Sequence, residues 1–170
     1  LRAALQDLGD SGAKVLADPM TANAWCQLRC REAGASLVSG QDPELLPKAQ
    51  KNSVELAGMR NCHVRDGSAV SRYLAWIEGE VEAGNLYDEG QLADKLETFR
   101  RELSDIQDLS FDTISAAGPN GALCHYNHLN GTPAPLHMNS LYLVDSGGQY
   151  LDGTTDITRT VAIGEPTAEH

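Results

Sequence analysis

The stretch LYLVDSGGQYLDGTTDITRT, residues 141–160, sets three aspartates among two runs of strand-forming residues. Aspartate and glycine are poor strand formers, so Asp145, Asp152 and Asp156 require an explanation beyond the needs of a sheet. One explanation is local, because Asp-Ser-Gly and Asp-Gly are ordinary turn formers. In that interpretation Asp145 and Asp152 cap turns, and Asp156 is a solvated residue at a sheet edge. The other explanation is a metal site.

A hairpin between the two apolar runs would bring two of these carboxylates together. If residues 141–145 and 157–161 are antiparallel arms of a regular hairpin with an even-length loop, Asp145 and Asp156 fall on the same face. Two carboxylates on a partly buried face repel each other, whereas a divalent cation makes both anions favourable. Carboxylate oxygens suit manganese, magnesium, zinc or cobalt. The Asp-Gly turn would not place the pair in direct opposition, so we expect an irregular loop or bulge there.

The composition predicts a globular chain and disfavours two classes of partner. With 170 residues and 41% hydrophobic content, the chain can form one domain, or a small domain plus part of another. The 24 acidic and 13 basic residues give a net charge of −11, and the basic residues are scattered, which disfavours nucleic acid. No run approaches the roughly 20 apolar residues that a bilayer-spanning helix needs, so no membrane partner is expected.

Cysteine spacing carries no metal or redox signal. The four cysteines, Cys26, Cys30, Cys62 and Cys124, match neither a zinc ribbon nor a thioredoxin-type motif. We interpret them as buried free thiols in a chain that looks cytosolic.

The first 42 residues predict the end of a domain. Strand, helix and strand are predicted in residues 12–17, 21–33 and 35–38, and this order suggests a parallel crossover. Too little sequence precedes the crossover for a full sheet, and the N-terminus has neither a start methionine nor a signal-like stretch. We therefore expect the chain to begin inside a longer gene product. The prolines of residues 41–47 indicate a domain boundary.

Two helices are predicted next. Asn52 and Glu55 form a capping box at the start of a helix that runs to about Ala83, where Gly84 and Asn85 supply a stop. The apolar stripe of this helix consists of Leu56, Met59, His63, Val70, Tyr73, Leu74, Ile77 and Val81. The capping pattern recurs at Asp88 and Gln91, before a helix with the apolar face Leu92, Leu96, Phe99 and Leu103.

Short strands are predicted beyond residue 109. The candidates are residues 111–115 and residues 123–126, separated by the turn signal of residues 118–121.

The aspartate block, residues 144–160, resembles the signature of the Xaa-Pro aminopeptidases (aminopeptidase P) of the creatinase/prolidase/methionine-aminopeptidase superfamily. The block GPNGALCHY, residues 118–126, is similar to an upstream block of that family, and LPKAQKN, residues 46–52, is similar to its entry into the catalytic domain. The resemblance implies an α+β fold. Residues 1–42 would be the C-terminal tail of a βαβ middle domain, and residues 43–170 the first part of a pita-bread (creatinase-like) catalytic domain.

Residue by residue, the resemblance implies that Asp145 and Asp156 are metal ligands, with Asp156 bridging two ions. It also implies that His125 contacts substrate near the scissile bond. Without the resemblance, His125 would be interpreted as a histidine satisfied in or beside a strand. Gly148 departs from the family, in which alanine is frequent at this position.

Part of the family's site is expected to lie outside this chain. The family completes its site with a histidine and two glutamates well beyond the second aspartate, and Glu165, Glu169 and His170 come too early to replace them. His63, His128 and His137 match no family role and are interpreted as surface or packing residues. The chain alone is therefore expected to be inactive.

For the full-length protein, the resemblance implies a dinuclear metallo-aminopeptidase of the cytoplasm. It would remove the N-terminal residue from peptides with proline in second position, using two divalent ions. Manganese is the first choice, with zinc or cobalt as alternatives, and a homodimer is suggested by the resemblance only. Two other functions stay open: a prolidase-type Xaa-Pro dipeptidase, and a non-catalytic pita-bread binding protein that has lost its metals.

Overall fold

The computed structural model describes residues 1–103 and 105–170 and contains two compact units, Leu1–Asn52 and Ser53–His170. The predicted assignment of residues 1–42 and 43–170 to two domains of a larger protein stays a prediction. Within the described residues, no helix is both long and apolar enough to cross a membrane.

The first unit contains a parallel strand pair flanked by helices. Its elements are α1 (Arg2–Asp10), β1 (Lys14–Ala17), α2 (Ala24–Glu32), β2 (Ser36–Ser39) and α3 (Leu45–Ala49). Strands β1 and β2 pair in parallel, so the predicted crossover is confirmed. The side chain of Asn23 accepts a hydrogen bond from the backbone N–H of Trp25 and so caps α2. Helix α1 was not predicted, because only Leu5 of its residues reaches the core.

The second unit begins with two long helices. Helix α4 (Ser53–Glu82) ends at Gly84, whose φ of +85° suits glycine and whose N–H bonds the carbonyl of Val81. Helix α5 (Glu89–Arg101) begins with the predicted capping box of Asp88 and Gln91. Both predicted helices are confirmed.

The buried face of α4 differs from the predicted stripe. Leu56 and His63 are exposed. The prediction is correct for Val70, Tyr73 and Ile77, which are buried, and the buried face also contains Gly58, Cys62, Asp66 and Ala69. The apolar pattern missed Asp66 because a carboxylate is not expected on a buried helix face. Asp66 is buried here because it is paired with Arg100.

Two antiparallel sheets complete the second unit. The strands are β3 (Ile106–Leu109), β4 (Ile114–Ala117), β5 (Ser140–Ser146), β6 (Gly148–Tyr150), β7 (Gly153–Thr154) and β8 (Ile157–Ile163). One sheet has the order β3-β6-β7 and the other the order β4-β5-β8. The core lies between α4, α5 and the second sheet, and includes Tyr73, Leu96, Tyr142 and Val144.

The region before β5 corrects two predictions. The strand predicted over residues 111–115 begins later, as β4. The strand predicted over residues 123–126 is wrong, because these residues form a turn directly after a 3-10 helix (Gly118–Ala122). His125 has a φ of +54°, which is incompatible with an extended strand.

The predicted burial of the cysteines is correct in part. All four thiols are free, and Cys30 and Cys62 are buried. Cys26 is half-buried, and Cys124 is exposed because it lies in the turn that replaced the predicted strand.

Candidate metal centre

Asp145 and Asp156 are held by the two longest strands of the second unit. Strands β5 and β8 pair antiparallel from Ser140 opposite Ile163 to Ser146 opposite Ile157. Asp145 is half-buried near the end of β5, and Asp156 is an exposed residue directly before β8. The predicted antiparallel pairing of the two arms is confirmed.

The two carboxylates interact. Asp145 lies opposite Thr158, two residues from Asp156, and the pKa of Asp156 is raised, first by loss of surrounding water and then by the negative charge of Asp145. Asp145 Oδ1 also accepts a hydrogen bond of 2.8 Å from Thr158 Oγ1. Two anions that approach in this way fit a divalent cation, which would remove their repulsion.

The connection between the aspartates is irregular, as predicted. After β5 the chain crosses into the other sheet, forms the β6–β7 hairpin and returns to β8. A Cβ atom on Gly147 would overlap the carbonyl of Thr155, so only glycine fits at this crossing.

Asp152 is a turn residue and faces a different partner. It lies between β6 and β7, where its carboxylate receives two hydrogen bonds of 2.7 and 3.1 Å from Arg65. Arg65 lowers the pKa of Asp152. The local interpretation is therefore right for Asp152, whereas the other two aspartates of the stretch form the pair.

The described part of the chain brings together two carboxylates, Asp145 and Asp156, which is fewer than the ligands that a metal site needs. It contains no group of three or more His, Cys, Asp and Glu side chains placed to hold an ion, so His125 does not join the pair. Asp145 and Asp156 fit a divalent cation by their chemistry, and further ligands must complete its coordination.

His125 is exposed in the turn that follows the 3-10 helix. This helix packs on the Asp145 side of β5: a Cβ atom on Gly121 would lie 3.5 Å from Cβ of Leu143, and Leu143 shares a strand face with Asp145. The other histidines behave as surface and packing residues, since His63 and His137 are exposed and His128 is buried.

A buried glutamate anchors the segment that carries His125. Glu89 is fully buried at the first position of α5. Its Oε1 accepts hydrogen bonds of 2.8 Å from the N–H of Ala117 and from Asn120 Nδ2, and its Oε2 accepts from Tyr126 Oη (2.8 Å) and the N–H of Ala134 (2.9 Å). Burial would raise the pKa of Glu89, but these four hydrogen bonds lower it below the ordinary value.

A second buried carboxylate, Asp66, binds the residue that directly precedes Asp156. Its oxygens accept hydrogen bonds from Arg100 Nε (2.7 Å) and Nη2 (3.1 Å), Tyr150 Oη (2.7 Å) and Thr155 Oγ1 (2.8 Å). Burial would raise the pKa of Asp66, but Arg100 and the two hydroxyls lower it. Sequence reasoning missed Asp66 and Glu89. A signal existed for Asp66, which is spaced four residues from both Cys62 and Val70 on the buried face of α4.

The family model and the fold of solved relatives place this mixed helix-and-sheet chain in the class of pita-bread, creatinase-like metallopeptidases. The chain belongs to metallopeptidase family M24, whose family model matches residues 57–170.

Curated relatives and solved structures agree with this family. The chain is 54% identical over 121 residues to a probable Xaa-Pro aminopeptidase P of Aspergillus flavus. The matched region covers 71% of this chain and 18% of the fungal protein. It is 52% identical over 122 residues to a probable Xaa-Pro aminopeptidase P of Sordaria macrospora, with coverages of 71% and 20%. The chain thus spans about one fifth of the length of these relatives.

Two solved structures share the fold. The X-prolyl aminopeptidase of Caenorhabditis elegans, described as a cytosolic enzyme with a di-nuclear active site, has a TM-score of 0.74 and 30% identity. The matched region covers 92% of this chain and 33% of the nematode enzyme. An Xaa-Pro dipeptidase from Bacillus anthracis has a TM-score of 0.76 over 99% of this chain and 45% of its own, and at 22% identity it shows the fold alone. The α+β fold class and the resemblance to the Xaa-Pro aminopeptidases are confirmed.

Proposed function

We propose that Asp145 and Asp156 are two ligands of the dinuclear metal site of a proline-specific aminopeptidase. The observation that carries this proposal is the β5–β8 register, which puts Asp145 and Asp156 on one face and close enough for the charge of Asp145 to raise the pKa of Asp156, a repulsion that a cation would remove. The names of the curated relatives support the substrate class, a peptide with proline in second position. The di-nuclear site of the nematode enzyme supports the use of two ions.

Asp145 and Asp156 would hold divalent ions, with manganese as our first choice and zinc or cobalt as alternatives. Such ions lower the pKa of a bound water and polarise a carbonyl group when they are present. The hydroxyl of Thr158 orients the carboxylate of Asp145 by the hydrogen bond that it donates.

His125 is proposed as the residue of this chain that contacts substrate. Its ring is exposed, and its turn follows the 3-10 helix that packs on the Asp145 side of β5. An imidazole N–H in this position can donate a hydrogen bond to the carbonyl oxygen next to the scissile bond, where negative charge develops. The hydrogen bonds of Glu89 hold both ends of the segment, so the position of His125 is set before substrate arrives.

The test compares three aspartates of one stretch in the full-length protein. We expect Asp145→Asn and Asp156→Asn to lose bound manganese and hydrolysis of Xaa-Pro-Xaa peptides. Asp152→Asn is the matched control, because Asp152 is paired with Arg65 and should leave metal content unchanged. Metal content is measured by elemental analysis after dialysis. Equal metal content in all three variants would contradict the proposal.

The same preparation separates the alternatives. Hydrolysis of Xaa-Pro dipeptides without hydrolysis of longer peptides would identify a prolidase-type dipeptidase. Absence of bound metal together with absence of manganese-stimulated activity would identify a non-catalytic binding protein. We also propose a cytoplasmic location, supported by the description of the nematode enzyme, and a homodimer, which light scattering of the full-length protein would test.

A further inference from the structure

The residue that precedes Asp156 is held more tightly than its neighbours. Thr155 is fully buried, whereas Thr154 and Asp156 are exposed. Its hydroxyl donates to Asp66 Oδ2 at 2.8 Å and accepts from the N–H of Gly148 at 2.9 Å. Its backbone N–H donates to the carbonyl of Gly148, and its carbonyl accepts from Ser110 Oγ, each at 2.9 Å. Every polar atom of Thr155 therefore has a partner.

These partners come from three separate parts of the second unit. Asp66 lies on α4, Gly148 begins β6, and Ser110 follows β3. The Thr155 hydroxyl joins the long helix to the residue directly before Asp156, whereas the bonds of Arg65 to Asp152 and of Tyr150 to Asp66 join the helix to earlier parts of the connection. Strand β7 has only two residues, and Gly153 in it lies against Cys62 and Met59 of α4 without a side chain of its own.

Stability alone is a weak explanation for this arrangement. Replacing a buried ion pair such as Asp66–Arg100 by apolar residues of similar volume is often neutral or stabilising. The ion pair of Asp66 and Arg100 does fix the geometry of its partners, because the oxygens of Asp66 accept hydrogen bonds only in defined directions. A hydrogen-bonded carboxylate is therefore suited to fixing one backbone geometry beside the ion site.

We propose that Asp66 and Thr155 are positioning residues for Asp156, and that their hydrogen bond sets the metal affinity of the aspartate pair. This inference rests on the proposed metal site. Groups that orient a metal ligand through hydrogen bonds change metal affinity about 10- to 100-fold when they are removed. The Asp66–Thr155 bond acts on the backbone of the ligand instead of on its carboxylate, so its loss should move Asp156 as a whole.

The test uses three variants of the full-length protein with Mn²⁺ as the probe. Thr155→Val removes the hydroxyl and keeps the shape, and we expect the Kd for Mn²⁺ to rise about 10- to 100-fold. Thr155→Ser keeps the hydroxyl, and its Kd for Mn²⁺ should stay within about threefold of that of the unchanged protein. Tyr150→Phe is the matched control, because it removes the other hydroxyl that binds Asp66 without touching Thr155.

Two measurements distinguish positioning from folding. Isothermal titration gives the Kd for Mn²⁺, and thermal unfolding of the metal-free protein gives the Tm. We expect both variants to lower the Tm, Thr155→Val by more because its hydroxyl makes two hydrogen bonds and that of Tyr150 makes one, and only Thr155→Val to weaken Mn²⁺ binding. If Thr155→Val does not fold, Ser110→Ala removes the hydrogen bond to the Thr155 carbonyl at a half-buried position. It should raise the Kd about three- to tenfold.

The possible results separate this inference from the proposed function. Equal Kd values for Thr155→Val and Tyr150→Phe, or for Ser110→Ala and the unchanged protein, would overturn the positioning role and leave the metal site standing. Absence of Mn²⁺ binding by the unchanged full-length protein would overturn the proposed metal site and this inference together.

Discussion

Replacing Glu89 by glutamine should destabilise the second unit and loosen the segment that carries His125. The carboxylate of Glu89 is fully buried and accepts four hydrogen bonds, two of them from the backbone N–H groups of Ala117 and Ala134. Glutamine has the same size, but one of its two terminal groups is a donor. The substitution therefore keeps the shape of the site and changes only its hydrogen-bonding capacity.

The magnitude follows from the placement of the new amide. If the NH₂ group replaces Oε2, the Tyr126 hydroxyl can turn to accept from it, but the N–H of Ala134 loses its acceptor. If it replaces Oε1, the side-chain amide of Asn120 can turn, but the N–H of Ala117 loses its acceptor. An unsatisfied buried N–H costs about 1–3 kcal/mol. The two hydrogen bonds to the oxygen that is kept lose about 1 kcal/mol each, because their acceptor is no longer charged. We expect a loss of about 3–5 kcal/mol in the free energy of unfolding.

The assay is urea unfolding of the full-length protein, with amide hydrogen exchange of the peptides that contain Ala117 and Ala134. Exchange of these two amides should become faster in Glu89→Gln. Tyr126→Phe is the control, since it removes the hydrogen bond to Glu89 and a longer one from Asn120, which keeps its bond to Glu89, and should cost about 1–2 kcal/mol. A Glu89→Gln protein that is as stable as Tyr126→Phe, with unchanged exchange, would refute the reasoning.

Three further predictions concern the helices and their buried charges. Arg100→Met leaves the buried carboxylate of Asp66 without its cation and should lower the free energy of unfolding by about 3–5 kcal/mol in urea; an unchanged midpoint would contradict this. Gly67→Ala should stabilise α4 by about 0.5–1 kcal/mol, because nothing lies within 4 Å of the added Cβ. Gly58→Ala should destabilise, because the Cβ overlaps a backbone carbonyl of the β6–β7 turn; equal Tm values would refute this contrast. The pKa values of Asp66 and Glu89 are lowered by folding, so both favour folding above their unfolded-state values of about 4, and stability should fall as the pH drops below this range. Urea midpoints between pH 3 and pH 7 measure the fall, and a flat profile would contradict it.

Local sequence signals predicted the long elements well. Helix α5 could be predicted because its capping box lies within four consecutive residues and satisfies donors of its own first turn. The β5–β8 pairing could be predicted because side chains alternate with a period of two, so two apolar runs specify both the strands and the face that carries Asp145. Residues 123–126 have the composition of a strand, but the left-handed backbone of His125 is imposed by the Glu89-anchored segment around it.

By itself, the sequence determined the long elements α4, α5, β5 and β8 and the candidate ligands Asp145 and Asp156, because capping and alternation act between neighbours along the chain. Only the tertiary structure decided that Asp66 and Glu89 are buried acceptors. Their partners lie 89 residues away at Thr155 and 28 residues away at Ala117, respectively. A buried carboxylate is stable only where distant donors converge on it, and no spacing rule along the chain encodes that convergence.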